Sequence, residues 1–282
     1  MDEIREPVAA TEWSASIRRK GLSIGFVPTM GALHQGHLEL VRRAKDECDR
    51  VACSIFVNPL QFNDPEDLAK YPTRPLEDRE MLAATGCDAL FAPVKEELFH
   101  GFQPREYDLG GLDAHWEGPS RPGHFQGVVN VVERLFHFIR PDSAYFGEKD
   151  RQQLTILQWI QQRQRWPERI VACPTVREAD GLALSSRNLR LNARERAVAP
   201  TLHQALSRMA ALAFKGPVQE CIDAGTRMIR SESLFDLDYL GIADARNLAP
   251  ITEWGNRHEA VALVAARLGT VRLIDNITLI RR

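Results

Sequence analysis

His34-Gln35-Gly36-His37 sets two imidazoles three residues apart, a spacing that puts both on one face if the segment is helical. An apolar run over residues 22–27 leads into it, and Leu38, Val41, Ala44 and Cys48 follow at helical spacing. A strand entering a turn that a helix leaves is a setting suited to phosphate, because a helix N-terminus offers backbone N–H groups and partial positive charge. Gly31 and Gly36 let the backbone approach such a group closely, and the imidazoles add donors. For the motif in isolation, the competing reading is a pair of structural histidines satisfied by the protein itself.

Further candidates follow other apolar runs. Asn58-Pro59-Leu60-Gln61-Phe62 comes after residues 51–57 and would place two neutral amides at a strand's carboxyl end, where open α/β sheets bind ligands. A plain Asn-Pro turn is the alternative. In Phe146-Gly147-Glu148-Lys149-Asp150, Lys149 suits a phosphate and Asp150 a helix cap or a ribose hydroxyl, against a solvated capping cluster. Residues 177–188 combine Arg177, Gly181, Ser185, Ser186 and Arg187, the composition of a mobile phosphate-binding loop or of a linker before a capped helix. Pro122 and Gly123 mark a constrained loop in which His124 reads as structural.

The elements that must position these residues alternate. Strands are expected at 22–27, 51–57, 87–91, 144–146 and 170–176, with helices at 34–48, 74–85, 128–139 and 150–165 after a polar helical entry over 1–20. Strand–helix alternation is the pattern of a parallel α/β sheet. Beyond Pro174 the order changes to helices at 193–213 and 217–231, then short strands at 237–242, 260–265 and 271–273. The expected fold is therefore α/β, a Rossmann-like parallel sheet over residues 1–175 followed by a smaller α+β domain over 176–282.

Composition narrows the function classes. With 44% hydrophobic residues in 282, a substantial core can form. A net charge of −2, from 36 basic and 38 acidic residues, argues against a nucleic-acid footprint over the whole chain. No apolar run approaches a membrane span, and no apolar segment follows a basic start, so a cytoplasmic protein is expected. Cys48, Cys53, Cys87, Cys173 and Cys221 form no CxxC pair, which supports neither a zinc site nor a disulfide framework.

Taken together and in order, residues 28–37, 56–62, 121–125, 146–150 and 180–188 resemble the pantothenate synthetase family, as do 238–240 and 265–276 near the C-terminus. The resemblance spans nearly the whole chain. It implies a Rossmann-like nucleotidyltransferase fold and ATP-dependent joining of pantoate to β-alanine through a pantoyl adenylate, releasing AMP and pyrophosphate. It also implies Mg²⁺ and a homodimer. Carried over by position, Met30, Gly31, Ala32, Leu33, His34, Gln35, Gly36 and His37 would bind ATP, with His37 as the acid-type catalytic residue and His34 beside it. Gly147, Glu148, Lys149 and Asp150 would bind ATP, with Lys149 on phosphate. Val176 would meet adenine. Leu184, Ser185, Ser186 and Arg187 would close over the triphosphate. Gln61 would contact pantoate and β-alanine with Asn58 nearby, Gln153 would contact pantoate, and Met30, Val128, Val131 and Val132 would line its apolar side.

Two positions depart from the family pattern: Arg151 replaces a common aromatic residue and Gln126 a common acidic one. No residue set is assigned to the metal; Glu77 and Asp78 are weighed against a solvated helix face. Two rival functions are a related enzyme that retains the adenylyl group in its product, and a nucleic-acid-binding or ATP-sensing module without catalysis.

Overall fold

The computed structural model describes residues 1–63 and 65–281. Two compact units emerge, and they are not consecutive stretches of chain. The first comprises 1–111, 120–148 and 156–174; the second comprises 112–119, 149–155 and 175–282. Two short segments before residue 175 thus belong with the C-terminal part.

The first unit is built on a parallel sheet of β1 (Asp2–Ile4), β2 (Ile24–Thr29), β3 (Arg50–Ile55), β4 (Ala89–Phe91), β5 (Ser143–Gly147) and β6 (Arg169–Cys173), in the order β1-β4-β3-β2-β5-β6. Ile24, Phe26 and Val27 are fully buried along β2, on both of its faces, as a strand covered on two sides requires. The chain steps outward from β2 through β3 to β4, then returns beside β2 to make β5. That reversal is a topological switch point, and the carboxyl ends of β2 and β5 flank it. The residues leaving β2 are those that lead to His34.

Three expectations change here. Residues 2–4 form an edge strand paired with β4, where a helical entry is expected. Residues 170–176 give a strand only to Cys173, because Pro174 has no N–H for the ladder. In the second unit the expected helix over 193–213 is two helices, Ala193–Val198 and Thr201–Leu212, interrupted at Pro200.

The second unit carries an antiparallel sheet of β7 (Phe235–Asp244), β8 (Glu259–Leu268) and β9 (Val271–Ile280), each ten residues long and well beyond the short runs expected. Helices Thr201–Leu212 and Val218–Arg230 cover one face through Leu202, Leu206, Met209 and Ile229, packed with Val264 and Ala266. Val261 and Leu263 belong to a smaller cluster with Trp116 and Tyr239. Trp116, from the 112–119 segment, donates from Nε1 to the Leu248 carbonyl at 2.7 Å. No described helix is long and apolar enough to cross a membrane.

Candidate active site

In the first unit, His34 stands in extended conformation as the residue before helix Gln35–Glu47. The His34 and His37 rings stack with centroids 4.0 Å apart. The His34 N–H points at His37 Nδ1 at 3.3 Å, so Nδ1 accepts and the ring hydrogen of the neutral imidazole lies on Nε2. His37 therefore reads as a neutral N–H donor at a helix N-terminus. Gln35 is exposed and accepts from Arg42.

Asn58, after β3, is 1% exposed and nearly fully committed. Its Oδ1 accepts from Leu60 N–H at 3.1 Å, and its Nδ2 donates to the Gly127 carbonyl at 3.1 Å and to Gln61 Oε1 at 3.0 Å. Those partners fix which way the Asn58 amide faces, and hence which way Gln61 faces: Gln61 Oε1 meets Asn58 and Nε2 points to Met30 Sδ at 3.3 Å. Both Asn58 amide hydrogens are thus engaged by the protein, and one of them holds Gln61. His124 is buried and donates from Nδ1 to the Gln61 carbonyl at 2.8 Å, holding the same residue from the other side. Val128, Val131 and Val132 are buried along helix His124–Ile139.

Gly127 and the backbone contacts of Asp78 are not apparent from the sequence. A Cβ on Gly127 would sit 2.1 Å from the Leu60 carbonyl oxygen and 2.7 Å from Gln61 N, so only glycine lets the helix meet the Gln61 turn. A glycine inside an apolar helical stripe was the available signal. Gly127→Ala is expected to destabilise the fold by about 1–3 kcal/mol through overpacking. Urea unfolding checks it. Asp78, weighed by sequence as a metal helper or part of a solvated helix face, is not solvated: it is buried, and both its oxygens accept backbone N–H groups, from Ala32 and Leu33.

Gly147 ends β5, paired with Cys173, and Glu148 follows it in the first unit. Lys149 and Asp150 belong to the second. There the Lys149 carbonyl accepts from Asn276 Nδ2 at 2.9 Å. Asp275, next to Asn276 on β9, takes two hydrogen bonds from Arg177 at 2.6 and 3.0 Å, and Arg177 also donates to the Gly181 carbonyl at 3.1 Å. Residues 176–184 fold back on themselves: Leu184 N–H donates to the Val176 carbonyl at 3.0 Å, and Arg177 bridges Ala183. Ser185 caps the short 3₁₀ turn Ser186–Arg190 by accepting from Arg187 N–H at 3.3 Å. The expected mobile loop is here a hydrogen-bonded turn in which Ser186 is buried.

Adjacent glutamines divide sharply. Gln152 is buried, accepts from Glu117 N–H at 2.9 Å and donates to the Leu112 and His115 carbonyls at 2.7 and 2.9 Å, so its amide is structural. Gln153 is partly exposed. Among the described residues, no three His, Cys, Asp or Glu side chains are placed to hold a metal ion.

A histidine-bearing helix start at the switch point of a parallel sheet, followed by an antiparallel α+β unit, defines a nucleotide-using α/β enzyme. The sequence matches the Pantoate-beta-alanine ligase family over residues 3–278. It is 47% identical over 286 residues to the pantothenate synthetase of Rubrobacter xylanophilus, covering 98% of each chain. The crystal structure of pantothenate synthetase from Thermus thermophilus superposes with a TM-score of 0.92 at 45% identity, covering 98% of this chain and 99% of that one. A crystal structure of pantoate-beta-alanine ligase from Francisella tularensis, complexed with beta-gamma ATP and beta-alanine, gives a TM-score of 0.81 at 32% identity, covering 98% and 97%. The chain belongs to the pantoate–β-alanine ligase family. It is accordingly an enzyme, an ATP-dependent ligase of pantoate and β-alanine.

Proposed function

We propose that the ligation runs through a pantoyl adenylate on the residues described above. A free carboxylate is a poor acyl donor because oxide is a poor leaving group. In the first step a pantoate carboxylate oxygen bonds to the α-phosphorus, the α–β bridging P–O bond breaks, and pyrophosphate leaves with the electron pair. In the second the β-alanine amine bonds to the acyl carbon, the bond from that carbon to the phosphate oxygen breaks, AMP leaves with the electron pair, and the nitrogen's proton passes to solvent water.

Phosphoryl chemistry of this kind asks the protein mainly for positioning and for donors where charge develops. His37 Nε2, with His34 beside it, and Lys149, Ser185, Ser186 and Arg187 take that role. Met30, Gly31, Ala32, Leu33, Gln35, Gly36, Gly147, Glu148, Asp150 and Leu184 form the nucleotide-binding segments, and Val176 meets adenine. Gln61 presents its N–H to an acceptor oxygen of pantoate, Gln153 adds a second amide, and Asn58 holds Gln61. Mg²⁺ fits as the counter-ion of the triphosphate, whose oxygens are its natural ligands, and it supplies charge neutralisation there. A homodimer in the cytoplasm completes the proposal; five unpaired cysteine thiols suit a reducing compartment.

The observation that carries this reading is the His34–His37 helix start at the switch point, with the Gln61 amide fixed beside Met30. Purified protein with ATP, Mg²⁺ and pantoate is expected to release pyrophosphate, and added β-alanine to release free AMP with an amide product. An adenylyl group retained in the product would favour the related transferase. ATP binding without β-alanine-dependent AMP would favour a sensing module.

A further inference from the structure

The turn that delivers the two histidines is strained, and a buried carboxylate holds it. Gly31 and Ala32 follow one another at φ 84° and 49°, both in the left-handed region. Glycine takes that conformation freely, whereas alanine does so at a cost and persists there only where its surroundings impose it. The turn aims the N–H groups of Ala32 and Leu33 the same way, into a concavity suited to an anion. The anion there is the protein's own. Asp78 Oδ2 accepts the Ala32 N–H at 2.9 Å, and Oδ1 accepts the Leu33 N–H at 2.7 Å.

Asp78 lies in the first turn of helix Pro75–Ala84 and is 1% exposed. Burial pushes its carboxyl above the usual range, and the two backbone hydrogen bonds pull the other way. A carboxylate kept under that burden, with both oxygens on one turn, has a local task. Leu33 directly precedes His34, whose own N–H fixes the His37 ring. Letting Ala32 relax would swing the chain at the point where it enters the helix.

We propose that Asp78 is a positioning residue whose carboxylate holds the Gly31-Ala32-Leu33 turn and thereby sets His34 and His37 toward the nucleotide phosphates. The inference rests on the phosphate role given to those histidines. It differs from a metal-ligand role, in which the carboxylate would act on the substrate complex and not through the backbone.

The test is a double-mutant cycle between Asp78→Asn and Ala32→Gly, reading kcat for pantoate-dependent pyrophosphate release at saturating ATP. Asparagine keeps the shape, but its amide nitrogen cannot accept an N–H. Asp78→Asn is expected to lower kcat about tenfold or more, since small misplacements of reacting groups are costly. In the Ala32→Gly background the same change is expected to cost at least about threefold less, because glycine holds the turn unaided. Equal costs in both backgrounds, or restoration of Asp78→Asn by raised Mg²⁺, would overturn the proposal. If Asp78→Asn does not fold, Asp78→Glu keeps the charge and moves the carboxylate off the two N–H groups; a fall in kcat that Ala32→Gly lessens supports the proposal, and a wild-type kcat overturns it. His37→Ala run alongside separates the two readings. A neutral His37→Ala sinks the histidine assignment, whereas a crippled His37→Ala with a neutral Asp78→Asn sinks only the role of Asp78.

Discussion

His37→Ala and Lys149→Ala are each expected to cut pantoate-dependent pyrophosphate release by about 10²–10³ while the fold survives, the usual cost of removing one donor aimed at developing charge. The His37 ring is half-buried, stacks on His34 and accepts the His34 N–H, all at the helix start. The backbone at Lys149 is tied separately, through the Asn276 side chain, and that bond remains when the ammonium is removed. Loss of rate is therefore expected without loss of the unfolding transition. Near-normal pyrophosphate release in both variants, with ATP and pantoate saturating, would refute the roles assigned to them.

His37→Gln is the sharper companion. As a neutral imidazole donating from Nε2, His37 could be partly replaced by a neutral amide N–H, whereas a proton-donating acid could not. A rate for His37→Gln well above that of His37→Ala is the outcome the ring geometry favours.

Why the histidine turn was legible in the sequence, and its supports were not, follows from the range of the forces involved. Strand β2, the glycines and the helix after His34 announce themselves within a few residues, through apolar periodicity and backbone punctuation. Asp78 is 46 residues from Ala32, and only the folded chain reveals that its oxygens meet that turn. Gly127 and His124 lie more than 60 residues from the Gln61 segment they hold. The edge strand Asp2–Ile4 was equally hidden, since two of its three residues are acidic and its pairing is with β4. The split at Pro200 was visible in principle, and a helical pattern on both sides masked it. Gln152 and Gln153 are indistinguishable as letters; the carbonyls of Leu112 and His115 decide that the first is structural.

The same long-range logic applies to a buried charge cluster in the second unit. Arg272 on β9 donates to both Glu117 oxygens, at 2.7 and 2.8 Å, and to Asp238 at 2.7 and 2.9 Å, while the Tyr239 hydroxyl donates to Glu117 at 2.9 Å. The Arg272 and Glu117 side chains are only 15% and 7% exposed. Burial opposes the Arg272 charge, and its bonds to the Glu117 and Asp238 carboxylates outweigh that, holding its pKa above the usual value. Burial, and then the Glu117 carboxylate, pushes the Tyr239 phenol far up, so its hydrogen stays in place as a donor. Arg272→Leu would leave the Glu117 carboxylate buried without its cation, and a loss of about 3–5 kcal/mol is expected. Pairing it with Glu117→Leu removes the buried carboxylate as well, and part of that loss should disappear; the Tyr239 hydroxyl then lacks that acceptor, so the recovery stays incomplete. The cluster ties residues 112–119 to the sheet, so Arg272→Leu should also expose that segment to proteolysis. Urea unfolding of the two variants decides the matter: equal midpoints for Arg272→Leu and the double variant would mean that the pair stabilises by packing alone.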